Sequence, residues 1–302
     1  MHEPSINAAG SLDAASALQD YCAGQIAHIA TALGRRTHPH RSVHEARKGI
    51  RRLRSVLAFG AKRFGAGGEK IDRALQRLGR GLSRLRDAHV ALELARARWR
   101  DAADAAQRTL WSDIIALLTA QRAQVLQRTR AQDAQFRKRL AVVARAGAAI
   151  AALPWQRIDN TTLRAQLARS RRRADRAARR ARRDPLLPAQ HRWRKRLRRQ
   201  RMQITALLGI LDAAPPSTQT ARLRALVEDD AGSLQAITAQ VDTIGKLLDA
   251  KLLQLAVRRL PQVPARKVAL ARLRADTHSP SDHSQPDRPQ SDHSRYDQER
   301  TP

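Results

Sequence analysis

His191-Arg192-Trp193-Arg194-Lys195-Arg196-Leu197-Arg198-Arg199-Gln200-Arg201 restates a stretch the chain has already used, His44-Glu45-Ala46-Arg47-Lys48-Gly49-Ile50-Arg51-Arg52-Leu53-Arg54. With His44 set on His191, Arg47 falls on Arg194, Lys48 on Lys195, Arg51 on Arg198, Arg52 on Arg199 and Arg54 on Arg201. An internal repeat is read before any single motif, because it sets the architecture. At about 100° per residue, His44, Arg47, Lys48 and Arg51 share one helix face, while Ala46, Ile50, Leu53 and Leu57 share the other. The spacing predicts an amphipathic helix, cationic on one side and apolar on the other. In the second copy Trp193, Leu197, Ile204 and Leu211 carry the apolar stripe. Two departures stand out: Gln200 replaces Leu53 and Arg196 replaces Gly49, so the second helix is basic almost all round.

A phosphate chain would suit this pattern. Arginine presents a planar fork to two phosphate oxygens, and lysine adds a point charge. A histidine near the helix start lies where free N–H groups also favour an anion. A neighbouring phosphate would favour its protonated form. A metal site is not expected. His40 and His44 have i, i+4 spacing, but Ser42 reads as the N-cap and leaves His40 outside the helix. No carboxylate or cysteine cluster accompanies either copy, and guanidinium groups repel cations.

The composition agrees. The chain has 302 residues and a formal net charge of +31, with 42% hydrophobic but only 3% aromatic residues. Self-repulsion on that scale destabilises a compact state unless a polyanion neutralises it. Alanine-rich hydrophobicity suits closely packed helices better than strands. Cys22 is the single cysteine, so no disulfide framework is expected and a buried apolar role suits it. The first ten residues lack a signal-peptide pattern, and no apolar run approaches the ~18 residues of a membrane helix. The expectation is a cytoplasmic protein without membrane contact.

Around the repeats, helices are predicted over 11–33 with Ser11 as cap, and over 43–64 from a Ser42 to Glu45 capping box, broken by Gly65, Gly67 and Gly68. Others follow over 69–100, 104–128 and 132–152, closed by Leu153-Pro154-Trp155. Thr161 or Thr162 caps the next, and Pro188 opens the helix of His191, which stops before Pro215-Pro216. Two or three more carry the chain to about Arg274. The class is all-α. Residues 1–10 read as a flexible terminus and 276–302 as a disordered polar tail, too poor in apolar groups to offset ordering entropy.

Both copies of His-x-x-Arg-Lys-x-x-Arg-Arg-x-Arg resemble the signature of the CHAD family, the conserved-histidine α-helical domain. Arg86-Asp87-Ala88-His89-Val90 resembles that family's Arg-Asp-x-x-Val segment, and Arg169-Ser170-Arg171-Arg172-Arg173 its arginine-rich turn. The resemblance spans about residues 12–274, with no further domain beside it. It implies two pseudo-symmetric helical bundles, over about 11–153 and 158–275 within a domain of 11–275, facing a basic central channel or groove. It also implies binding of inorganic polyphosphate and association with polyphosphate granules. The implied ligand face is His44, Arg47, Lys48, Arg51, Arg52 and Arg54 with their partners His191, Arg194, Lys195, Arg198, Arg199 and Arg201. Arg172 and Arg173 join it through the arginine-rich turn. In the second half, Ile237-Thr238 stands where Arg86-Asp87 stands in the first, so the acid is missing there.

A non-catalytic polyphosphate binder without a cofactor is therefore the leading expectation. The alternative is a basic nucleic-acid-binding protein, or weak nucleic-acid binding beside the main role. Few aromatics are present for base stacking, and Trp193 sits on the apolar side. A polyphosphate-processing enzyme comes last. Phosphoryl transfer needs carboxylates to hold Mg²⁺, and the one tight acidic cluster, Glu228-Asp229-Asp230, reads as a solvated face.

Overall fold

The computed structural model describes residues 14–214 and 218–278, and among these it is helical with no strand. The expected Ser11 cap, the flexible terminus over 1–10 and the tail from 279 onward lie outside the described residues. In chain order the helices are α1 (Ala14–Gly34), α2 (Pro39–Leu57), α3 (Gly65–Gly81), α4 (Ser83–Arg100), α5 (Ala105–Gln132) and α6 (Arg137–Ala151). Then come α7 (Asn160–Arg183), α8 (Leu187–Ala213), α9 (Thr218–Gly232), α10 (Leu234–Arg258) and α11 (Pro264–His278). α11 thus reaches past the expected end at Arg274.

The helix ends show where local rules held and where packing overruled them. Asp104 caps α5 as a side chain should, accepting from the Gln107 amide at 2.6 Å. Asp159 caps α7, accepting from the Thr162 amide at 2.7 Å. The expected cap at Thr161 or Thr162 is therefore replaced by a carboxylate two or three residues earlier, which the positive helix start also favours.

The Ser42 capping box does not form. α2 begins at Pro39, whose fixed φ suits the first turn, after His38 in the left-handed region (φ 51°, ψ 56°). The Ser42 amide donates to the His38 carbonyl at 3.0 Å, and Ser42 is buried inside the helix. His40 is consequently helical, against expectation. At its other end α2 stops at Leu57 instead of 64, because Phe64 folds back onto the bare Cα of Gly60 and meets the Trp155 ring edge-on at 4.9 Å. A Cβ on Gly60 would lie 2.2 Å from the Phe64 ring.

The single helix expected over 69–100 starts earlier, at Gly65, and is broken in two at Leu82 (φ −90°, ψ −4°), which is fully buried. α9 and α10 are broken in the same way at Ser233 (φ −85°, ψ −6°). Counting from these two breaks, Arg86 corresponds to Ile237 and Asp87 to Thr238. α5 runs on to Gln132, and Gln135 and Phe136 in the left-handed region turn the chain into α6.

α1 packs along α2 and α7 along α8, and α2 packs on α8. The main core takes Leu18, Ile29 and Leu53 from α1 and α2, and Leu163, Ile204 and Leu207 from α7 and α8. Cys22 is buried in it. A second core joins Leu92, Ile114 and Leu118 of α4 and α5 to Leu253, Val257 and Leu273 of α10 and α11. Gln203 pins the basic helices together. It is fully buried on α8, accepts from the Ser170 hydroxyl of α7 at 2.6 Å and donates to the Ser55 carbonyl of α2 at 3.0 Å.

Candidate anion-binding site

Because α2 and α8 pack together, their basic residues meet. They do not form one face, however. They divide into two clusters on either side of α8.

The first cluster centres on Arg51 and Arg198. Burial, then the positive field of Arg47, Arg86, Arg194 and Arg201, pushes the Arg51 guanidinium down to about 10. Burial, then Arg51, Arg194, Arg86 and Arg201, pushes Arg198 down to about 9. Both remain charged at neutral pH and repel one another in a partly dry setting. Each also has a buried Nε without a hydrogen-bond partner. Buried unsatisfied donors and crowded like charges are costly, and an anion relieves both.

Other members of this cluster are committed to the fold. Arg47 donates to the Gly79 carbonyl and, at 2.8 Å, to the Ser83 hydroxyl, tying α2 to the α3/α4 break. Arg194 donates from Nε to the Val241 carbonyl of α10 at 3.2 Å. Gly245 makes room for it, since a Cβ there would lie 2.6 Å from the Arg194 Nη2. Alanine at Arg47 and Arg194 would therefore disturb the packing as well as any binding.

Arg86 belongs to the same cluster, although the expected ligand set omitted it. It sits between Asp87 (3.0 Å) and Asp249 of α10 (3.6 Å). The acid missing at 238 is thus matched by Asp249, eleven residues further along α10. The Arg-Asp segment was a visible signal for Arg86. Its meeting with Arg51 and Arg198 was not, because that depends on how α4 packs against α2 and α10.

The second cluster lies on the other flank of α8. Arg54 makes a two-pronged pair with Asp72 of α3, at 2.7 and 2.8 Å. Burial, then Arg54, depresses Arg199 and Lys195, with Asp72 opposing and Arg196 adding to the field at both. Arg173 of α7 joins here, lowered by burial and then Arg196. Arg172 does not join, being exposed on α7. Arg52 also lies apart, its charge acting on Tyr21 of α1.

In the ligand-free fold both repeat histidines are held below the ordinary histidine range. Burial, then Arg198, Lys195 and Arg194, lowers His191. Burial also lowers His44, with Glu45 opposing it and Arg51 and Lys48 adding to it. Because α2 begins at Pro39, His44 lies in the second turn, away from the free N–H groups of the helix start.

His40 stacks on His89 of α4, with centroids 5.1 Å apart and 18° between planes. Burial, then Arg122, His89 and Arg130, holds His40 down at about 4. Burial lowers His89 as well, with Glu93 opposing and Arg122, Arg96 and His44 reinforcing. Between pH 6.5 and about 4 the unfolded chain binds more protons at His40 than the folded one. Stability from His40 is therefore complete above pH 6.5 and declines as pH falls through that window. Melting curves of His40→Gln should show a shallower acid-side decline, and an unchanged slope would mean that His40 does not titrate this way.

Of two further readings, one holds and one changes. Trp193 is half-buried against the core, as expected. Asp230, expected on a solvated face, is 6% exposed with Arg171 at 3.8 Å, because α9 turns this residue inward. Among the described residues no group of three or more histidine, cysteine, aspartate or glutamate side chains could hold a metal ion. None of their helices is long and apolar enough to cross a membrane.

With this geometry in place, comparison with known proteins is specific about the fold. The crystal structure of the CHAD domain from the plant Ricinus communis superposes with a TM-score of 0.67, covering 93% of this chain and 94% of that one at 21% identity. A comparison with curated proteins finds no match. The family model of the CHAD domain matches residues 20–245, from within α1 to within α10 and across both basic helices. The chain belongs to the CHAD family.

Proposed function

We propose that this chain binds linear inorganic polyphosphate along the seam between α2 and α8, and through it associates with polyphosphate granules. The observation that carries this reading is the meeting of Arg51 and Arg198. Two partly buried guanidinium groups are held in each other's field, with Arg86, Arg194 and Arg201 around them. Membership of a family associated in general with polyphosphate binding supports it. A chain of phosphates would run past His44 and His191 and displace none of the hydrogen bonds that hold Arg47 and Arg194. In this reading α2 and α8 are the corresponding helices of the two halves of an internal repeat, and the seam between them is its central groove.

The chain acts as a binding module and not as a catalyst. Release of phosphate from polyphosphate by the pure protein would overturn that part of the reading.

The test is titration of long-chain polyphosphate and of duplex DNA, matched in total charge, across a salt series. Both affinities should fall with salt through counterion release. Polyphosphate binding that persists in salt where DNA has dissociated is the expected result, because a shaped seam gains from close contacts as well as from charge. Equal affinities with equal salt slopes would reduce the seam to a general cation, with nucleic acid as an equal partner.

A further inference from the structure

Away from the basic seam, α3 and α6 run antiparallel. Gly67 lies beside Leu153 at one end and Gly81 beside Arg139 at the other. Between the two helices is a cavity of about 920 Å³. Ile71, Leu78, Val142 and Ala146 make its walls apolar, and Ala74 and Ala149 leave it room. It shares Gly81, Gln132 and Arg139 with a second cavity of about 500 Å³, which is lined by Arg80, Arg84, Arg128 and Thr129. The two spaces are therefore neighbours, the larger with apolar walls and cations beside them, the smaller lined mainly by arginines.

Within the cationic cavity Arg139 is already neutralised. Asp133, which is 5% exposed, accepts from the Arg139 Nη1 at 2.6 Å and from the Lys138 amide at 2.8 Å. No acid pairs with Arg80, Arg84 or Arg128 among the described residues. Three uncompensated guanidinium groups suit a head carrying two or three negative charges, where a single carboxylate would leave charge over. Lys70, Arg77 and Arg145 also line the apolar cavity and are exposed, which disfavours a cationic amphiphile. The volume of the larger cavity is that of an ordinary small-molecule site, mostly apolar with a few polar groups that fix orientation.

We propose that these joined cavities bind an amphiphilic phosphate, with an acyl or isoprenyl chain between α3 and α6 and a phosphate or diphosphate head among Arg80, Arg84 and Arg128. The site is separate from the α2/α8 seam and does not depend on polyphosphate binding there.

Dispersed farnesyl diphosphate is titrated into the full-length chain, with farnesol and pyrophosphate as its two halves. The whole molecule should saturate one site and bind about tenfold or more tighter than either half, since only the whole fills both cavities at once. Arg84→Gln with Arg128→Gln should weaken it by about tenfold or more through the head. Ala149→Trp, at an exposed helical position, should weaken it through the tail. Ala152→Trp closes the same trough if the first variant fails to fold by circular dichroism. Arg51→Met with Arg198→Met should leave this binding unchanged, which separates it from the polyphosphate reading.

Vesicles containing phosphatidic acid distinguish a membrane source from a free one. Vesicle binding that is sensitive to both the head and tail variants supports the site with a lipid as its ligand. Pyrophosphate binding as tightly as farnesyl diphosphate, with Ala149→Trp and Ala152→Trp silent, would overturn the proposal in favour of a plain anion pocket. Vesicle binding untouched by the tryptophan variants would overturn it in favour of a charged surface.

Discussion

Arg51→Met combined with Arg198→Met is expected to reduce polyphosphate affinity by about a hundredfold while raising the melting temperature of the ligand-free chain. The loss follows from removing two charge-assisted contacts, each worth about 1.5–3 kcal/mol, or about tenfold or more in affinity. The gain follows from the same residues in the absence of ligand. Burial and neighbouring guanidinium groups depress both side chains, Arg51 to about 10 and Arg198 to about 9, so each charge is held where the fold disfavours it. Methionine keeps a long unbranched chain, fills the space and removes the repulsion. For a chain of this size each kcal/mol recovered should appear as about 2–4 °C. Calorimetric titration and thermal unfolding check the two halves. Retained affinity would move the site elsewhere, and a fall in melting temperature would mean that the arginines stabilise the empty fold. The corresponding pair Arg47 and Arg194 cannot serve, because their bonds to Gly79, Ser83 and Val241 make any loss ambiguous.

Gln203→Ala should be the most damaging single change at the seam. The side chain is fully buried and joins three helices, accepting from Ser170 and donating to the Ser55 carbonyl. Truncation leaves a cavity, costing about 2–5 kcal/mol by analogy with buried Leu or Met truncations. It also strands a buried hydroxyl and a buried carbonyl, at about 1–3 kcal/mol each if water does not reach them. Gln203→Leu restores most of the volume but neither bond, so it should fall between alanine and the native side chain. The urea midpoint orders the three forms. Polyphosphate affinity in the folded fraction should fall in the same order, since Gln203 sets how α8 lies on α2. An alanine variant as stable as the native chain would mean that the apolar contacts alone hold the seam.

Much of this was legible from residue spacing. The 3.6-residue period of Ile50, Leu53 and Leu57, and of Leu197, Ile204 and Leu211, identified two amphipathic helices because burial demands one apolar face. The absence of alternating runs excluded a sheet. Charge imbalance pointed to a polyanion, since Coulomb repulsion is a property of composition before it is one of fold. Local signals were weaker at the ends. Ser42 had the spacing of an N-cap, but Pro39 starts the helix earlier and burial claims the serine. Gly79 and Gly81, just before Leu82, were the local signal of a break within 69–100, which the apolar period across them outweighed; Leu82 itself is buried in the core.

By itself, then, the sequence determined the all-α class, the two basic helices and their residue types, because helical periodicity and charge are local properties. Only the tertiary structure decided which cations share a site. It placed Arg51, Arg198 and Arg86 together, gave Arg54 to Asp72, and left Arg172 on the outside. Helix period fixes the direction in which a side chain leaves its own axis. Who meets it there is set by the crossing of α2, α4, α8 and α10, which apolar packing fixes together with the long-range polar contacts of Gln203, Arg47, Arg86 and Arg194.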